Sequence, residues 1–164
     1  MASEVSIKGL GIKYGLITAG VCVVYFLVIR ETGLINNTWL RFFNYAIIAG
    51  GLYPAFVELR KRSEGNSVSY MQCIGLGFFM VLVSAVGFAF FIGIYSSFID
   101  TGFVNIIKPD LPYYRGKLNG LILGVYICSE TILFGIIFLL IVLQLFRRNT
   151  FSTKEPEEKP IHRG

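Results

Sequence analysis

The chain has one histidine, three cysteines and little charge: Asp, Glu, Lys and Arg make up 15% of its 164 residues, against about 25% in soluble domains. The histidine, His162, lies in a polar carboxyl-terminal stretch. This excludes a membrane haem with paired histidine ligands and any histidine-based metal centre built within one chain. Cys22, Cys73 and Cys128 form no Cys-x-x-Cys pair and each falls in an apolar run, so they read as small apolar fillers rather than redox or metal ligands. There is no Walker loop and no Gly-x-Ser-x-Gly elbow, and no acid, base and nucleophile set converges. The expectation is a protein that is not an enzyme, with no catalytic residue, no metal ligand and no cofactor.

Apolar sequence fills the space that charge leaves. Tyr14 to Ile29 lies uncharged between Lys13 and Arg30, and Phe42 to Val57 between Arg41 and Glu58, 16 residues each. Val68 to Ile99 carries no charge, and Leu118 to Phe146 is broken only by Glu130. A helix rises about 1.5 Å per residue, so ~30 Å of hydrocarbon takes about 20 residues, with Lys and Arg side chains reaching back to the headgroups. Segments such as Val21 to Ile29 and Ile132 to Leu143 are apolar all round, which removes the polar face that a soluble helix needs. The fold class expected is all-α, a polytopic membrane protein of four transmembrane helices in an antiparallel bundle. The spans fall at about residues 10–30, 39–58, 72–96 and 120–146 of a single domain over 1–148, and the polar tail 149–164 is expected to be disordered.

With four crossings the amino terminus, the middle loop and the tail share one side. That side carries ten basic residues (Lys8, Lys13, Arg60, Lys61, Arg62, Arg147, Arg148, Lys154, Lys159 and Arg163) against five opposite (Arg30, Arg41, Lys108, Arg115 and Lys117). The positive-inside rule then puts both termini in the cytoplasm. The formal charge of +5 is thereby a topogenic signal and an attraction to anionic lipid; the Arg60-Lys61-Arg62 cluster sits in no nucleic-acid-binding module, so nucleic acid is not an expected partner. Trp39, Tyr45, Tyr113 and Tyr114 read as an interfacial aromatic belt, and Asn37 and Thr38 as caps for the second helix.

Between helices in lipid, close approach at small residues is a main source of association. Gly116, Gly120, Gly124 and Cys128 recur every four residues in the fourth span, and Gly11, Gly15 and Ala19 do so in the first, so these two stripes are the expected packing seams. Pro54 lacks an N–H for the Gly50 carbonyl and predicts a kink in the second span. Glu130 is the one ionisable residue inside a span. It lies 17 residues from Arg147, about 25 Å along a helix, which assigns it to the outer boundary and predicts an ion pair with Arg30 or Arg41. An intramembrane carboxylate is also a candidate ion or proton site.

Several short motifs carry a family likeness: Lys13-Tyr14-Gly15-Leu16-Ile17 with Tyr25-Phe26-Leu27, the basic turn Glu58-Leu59-Arg60-Lys61-Arg62, Asn66-Ser67-Val68-Ser69-Tyr70, and Phe98-Ile99-Asp100. Over most of residues 8–148 the chain resembles the bacterial four-helix integral membrane family known as domain of unknown function 4199. The resemblance implies a multi-pass protein of the bacterial cytoplasmic (inner) membrane and transfers no catalytic residue. Members of that family often carry a longer charged insertion after the third span, where this chain has the short Asp100 to Lys117 loop. Two readings of the role follow. One is a non-enzymatic, helix-packing, partner-binding or accessory membrane subunit, its partner being the lipid bilayer and either a second copy or another membrane protein. The other is a small oligomeric transporter or channel using Glu130.

Overall fold

The computed structural model of the chain describes residues 7–34, 38–63, 70–104 and 119–151, with the side chains of 38, 41, 42 and 147–151 left out. Among the described residues there are four long helices and no strand: α1 (Ile7–Glu31), α2 (Thr38–Arg62), α3 (Tyr70–Ile94, prolonged by a π-helical turn over Tyr95–Ile99) and α4 (Gly120–Phe151). α4 continues past residue 148, where the sequence reading ended the domain; Asn37, Gly116 and the tail 152–164 lie outside the described residues.

Local chemistry sets the helix ends. α1 stops where Thr32 turns its hydroxyl onto the Val28 carbonyl and Gly33 takes φ 70°, a left-handed conformation that glycine adopts without a Cβ penalty. α2 closes on Arg60, Lys61 and Arg62, three cations at the negative end of its dipole, and Ser63 caps the Leu59 carbonyl at 3.1 Å. α3 ends when the Asp100 N–H reaches back to the Tyr95 carbonyl at 2.9 Å.

Side-chain contacts give the helix directions. Gly11 and Gly15 meet Phe79 and Val83, so α1 and α3 run parallel. Gly124 meets Ala89 and Gly135 meets Val81, so α4 runs against α3. Thr18 meets Gly51 and Tyr14 reaches Glu58, which sets α2 against α1. The result is an up-down-up-down bundle with α3 packed most extensively, flanked by α1 and α4.

The core holds Phe56, Leu52, Leu76, Met80 and Leu123, all fully enclosed. Leu16, Val24, Phe90, Val125, Leu133 and Leu145 point outward, an arrangement that leaves oil on both the inside and the outside. A soluble bundle cannot tolerate such an exterior, whereas lipid tails match it. Three helices, Ile7–Glu31, Tyr70–Ile99 and Gly120–Phe146, are long and apolar enough to cross a membrane. α2 is not among them: Arg41, Asn44, Pro54 and Glu58 interrupt its apolar residues.

Both small-residue stripes are used inside the chain. A Cβ at Gly11 would lie 2.9 Å from the Phe79 Cβ, one at Gly15 2.7 Å from the Val83 Cβ, and one at Gly124 2.9 Å from the Ala89 carbonyl oxygen. Gly120 is buried against Ser96 and Ser97. The side that receives these glycines is α3, which contributes its own Gly93 to the Gly120 and Gly124 contacts, while its Gly77 receives the Leu139 side chain of α4. Cys128, also on the fourth-span stripe, is a half-buried free thiol. Pro54 lies exposed within α2, and the helix runs continuously from Thr38 to Arg62.

Candidate functional site

Three polar clusters interrupt the apolar bundle, one at each end and one between. At the first end Glu58 of α2 gathers Lys13 and Tyr14 of α1 and Arg62 of its own helix. The Lys13 ammonium stands 3.5 Å from the carboxylate, the Tyr14 hydroxyl donates to it, and Arg62 reaches it from one turn on. Lys13 and Arg62 are each 53% exposed; pairs this open to water contribute little stability. They fix the rotation of α1 against α2 instead.

At the opposite end Arg30 forms an ion pair with Asp100, both partners about three-quarters enclosed. Asp100 also caps the Phe103 N–H at 3.1 Å through its other oxygen. Phe103 is 1% exposed and closes an aromatic cluster on Phe26, whose ring centroid lies 5.3 Å from both Tyr95 and Phe103 and 6.0 Å from Phe91, all edge-on. One carboxylate thus joins the end of α1, the end of α3 and the segment that follows. Asp100→Ala is expected to lower stability by about 1.5–3 kcal/mol, since it leaves a half-buried guanidinium without its charged partner, and Arg30→Ala by a similar amount. Unfolding midpoints in detergent would measure both; an unchanged midpoint for Asp100→Ala would rule this assignment out.

The third cluster holds Glu130. Its Oε1 accepts a 2.6 Å hydrogen bond from the Tyr45 hydroxyl, and the Tyr45 ring stacks on Phe134 one turn further along α4, at 4.6 Å. Tyr45 is 7% exposed, so it is a core residue rather than the belt aromatic its position near a span end suggested. The close approaches on either side of Glu130, Gly124 to Ala89 and Gly135 to Val81, put it opposite the middle of α3, not near the outer boundary. Counting from Arg147 misplaced it because α3 is long: Gly77 meets Leu139, which sets Arg147 near the Tyr70 end of α3, and 17 residues along α4 reach only midway up the 30 residues of Tyr70–Ile99. Next to Tyr45, the Asn44 side-chain oxygen is buried without a hydrogen-bond partner, while the Asn44 carbonyl receives the Cys22 thiol at 4.0 Å.

Of the charges that sequence grouped around Glu130, Arg30 turns instead to Asp100, and the Arg41 side chain lies outside the described residues. Sequence reasoning placed Asp100 only at the start of the loop to Lys117 and overlooked Tyr45 as a partner for the carboxylate. A signal existed for the first: Asp100 follows the charge-free run of α3 as Arg30 follows that of α1, so both occupy one level. Nothing in the sequence distinguishes a tyrosine at a lipid boundary from one turned inward. Among the described residues no group of three His, Cys, Asp or Glu could hold a metal ion.

A family model described as a protein of unknown function, DUF4199, matches residues 13–111, which cover α1 from Lys13 onward, α2, α3 and the Arg30–Asp100 pair. The chain belongs to this family. The match stops short of α4, so Glu130 lies outside the shared region while its partner Tyr45 lies within it. No curated protein and no solved structure matches the chain.

Proposed function

We propose that this DUF4199 protein is a non-enzymatic integral membrane protein in which all four helices cross the lipid, with both termini in the cytoplasm of a bacterium, serving as an accessory or partner-binding subunit. The observation that carries the reading is the apolar exterior, Leu16 and Val24 on α1, Phe90 on α3, Val125 and Leu133 on α4, wrapped around an equally apolar core. α2 is included in the crossing because two of its polar side chains, Tyr45 and Glu58, turn to neighbouring helices. The glycine seams are occupied by α3, so any partner meets the outer faces. Orientation rests on Lys8, Lys13 and Arg60 to Arg62 at one end.

The test uses single cysteines at Thr32 and Ser63 in a background where Cys22, Cys73 and Cys128 are alanine. A membrane-impermeant thiol reagent on intact cells is expected to label Thr32→Cys and to reach Ser63→Cys only after lysis. Equal labelling of the two from outside would mean that α2 does not cross.

A second reading, an oligomeric transporter or channel with Glu130 as the ion or proton site, is favoured by the carboxylate's place halfway along the bundle, where an ionised group in lipid costs ~2.5–3.5 kcal/mol on insertion scales. Four helices are few for a pathway within one chain, so this reading requires association of copies. In proteoliposomes Glu130→Gln is expected to abolish any pH-driven flux, and flux that persists unaltered removes Glu130 from the mechanism.

A further inference from the structure

We infer that the outward groove between α1 and α2 seats one anionic phospholipid, its phosphate between Lys13 and Lys61 and an acyl chain along Ile17, Val21, Gly50 and Pro54. The inference rests on the membrane reading above and adds a defined ligand to it. α1 meets α2 through Tyr14, Thr18 and Cys22 and meets α3 through Gly11, Gly15 and Ala19. At about 100° per residue, Ile17 and Val21 therefore fall on the flank of α1 beyond α2 and away from α3, and both are about half exposed. On α2, Glu58 and Gly51 face α1, while Tyr45 and Phe56 face α4. The same count turns Gly50, Pro54 and Lys61 to the flank beyond α1, and all three are exposed.

Gly50 makes the wall of this groove open. A Cβ there would meet nothing within 4 Å, in contrast to Gly11, Gly15 and Gly124, whose missing side chains admit α3. The Tyr25 and Phe43 rings, 6.4 Å apart, close the groove at its other end. At its head Lys13 stands 3.5 Å from Glu58, one turn beyond Ile17.

Charge complementarity identifies the occupant. Among the described residues this end presents Lys8, Lys13, Arg60, Lys61 and Arg62 against the single carboxylate Glu58, which Lys13 and Arg62 share. Five cations and one anion leave a formal excess of 5 − 1 = 4 positive charges, and all five cationic side chains are exposed. A phosphate with hydrocarbon attached satisfies both the excess charge above and the apolar trough below. Free phosphate satisfies only the first.

The experiment is native mass spectrometry of the purified full chain in mixed micelles doped with phosphatidylglycerol or phosphatidylcholine. Wild type is expected to retain one phosphatidylglycerol in preference to phosphatidylcholine. Lys13→Gln and Lys61→Gln should each weaken that preference about fivefold, the effect of roughly one surface cation on an anionic headgroup. Gly50→Leu, which fills the trough without changing charge, should lower retention of both lipids, and millimolar inorganic phosphate should displace neither. Arg60 points away from α1, so Arg60→Gln should leave retention intact. Equal retention of the two lipids by wild type, a loss with Arg60→Gln as large as with Lys61→Gln, or unchanged retention in Gly50→Leu would overturn the site. Each of these leaves the Thr32 and Ser63 labelling result untouched, so the lipid site and the membrane topology fail separately.

Discussion

Gly124→Leu is expected to prevent assembly of the bundle, or to cost about 3 kcal/mol or more if the helices can shift apart. The reason is the identity of the atom in the way. A Cβ at this position would sit 2.9 Å from a backbone oxygen, that of Ala89, with the Gly93 Cα at 3.4 Å. A flexible side chain can swing aside, but α3 can yield only as a rigid helix. Gly15→Leu should behave similarly, because the obstruction includes the Met80 carbonyl at 3.0 Å beside the Val83 side chain. Gly50→Leu and Gly20→Leu serve as matched controls, since each points into open space and each gains helix propensity of about 1 kcal/mol over glycine. Yield of monodisperse protein and the unfolding midpoint in detergent would separate the two pairs. If Gly124→Leu remained a well-folded chain and merely lost association with other copies, the seam would be intermolecular and the packing of α4 on α3 would be wrong.

Tyr45→Phe carries an expected loss of about 1.5–3 kcal/mol, as large as that for Asp100→Ala, because a hydrogen bond to a carboxylate in the interior is worth more than one between neutral groups. The substitution keeps the ring on Phe134 and deletes only the hydroxyl that donates to Glu130. Glu130→Gln retains an acceptor oxygen and should be tolerated better than Tyr45→Phe. A double-mutant cycle of Tyr45→Phe with Glu130→Gln should then show a coupling of about 1 kcal/mol or more. Strict additivity would mean that the two side chains do not act as a pair.

The two predictions bear on how the protein can associate. Helix pairs in membranes gain their contact energy from close backbone approach, and here the four described glycines with the tightest backbone or Cβ approaches, Gly11, Gly15, Gly120 and Gly124, all serve α3 or its π-helical extension. A partner must therefore dock on side chains such as Phe90, Leu133 or Tyr53, which face outward.

Much of the architecture could be read before any coordinates. The gaps between charged residues fall on the four helices, because a helix in lipid cannot place Lys, Arg or Glu in hydrocarbon without a partner, although α1 begins seven residues before its gap, at Ile7, and α4 runs five past its own, to Phe151. Gly11, Gly15, Gly120 and Gly124 announced close packing by their spacing alone. Their counterpart could not be read, since α3 meets them with Phe79, Val83, Ala89 and Gly93 in a run so uniformly apolar that no face stands out. The placement of Glu130 failed for a related reason: residue counting measures distance along one helix, and says nothing of how far a neighbouring helix, here the 30 residues of Tyr70–Ile99, extends beyond the point reached.

Composition and the positions of charge determined, without any fold, that this chain forms long helices with apolar exteriors, since burying an uncharged backbone in oil admits no other open-chain solution. Which carboxylate meets which base was decided only in three dimensions. Arg30 was free by sequence to choose Glu130 or Asp100, and the parallel run of α1 beside α3 brings its guanidinium to Asp100, whereas α2 running alongside α4 hands Glu130 to Tyr45. Ion pairs and hydrogen bonds act over a few ångströms, so they follow helix adjacency and relative height, and both are properties of the assembled bundle.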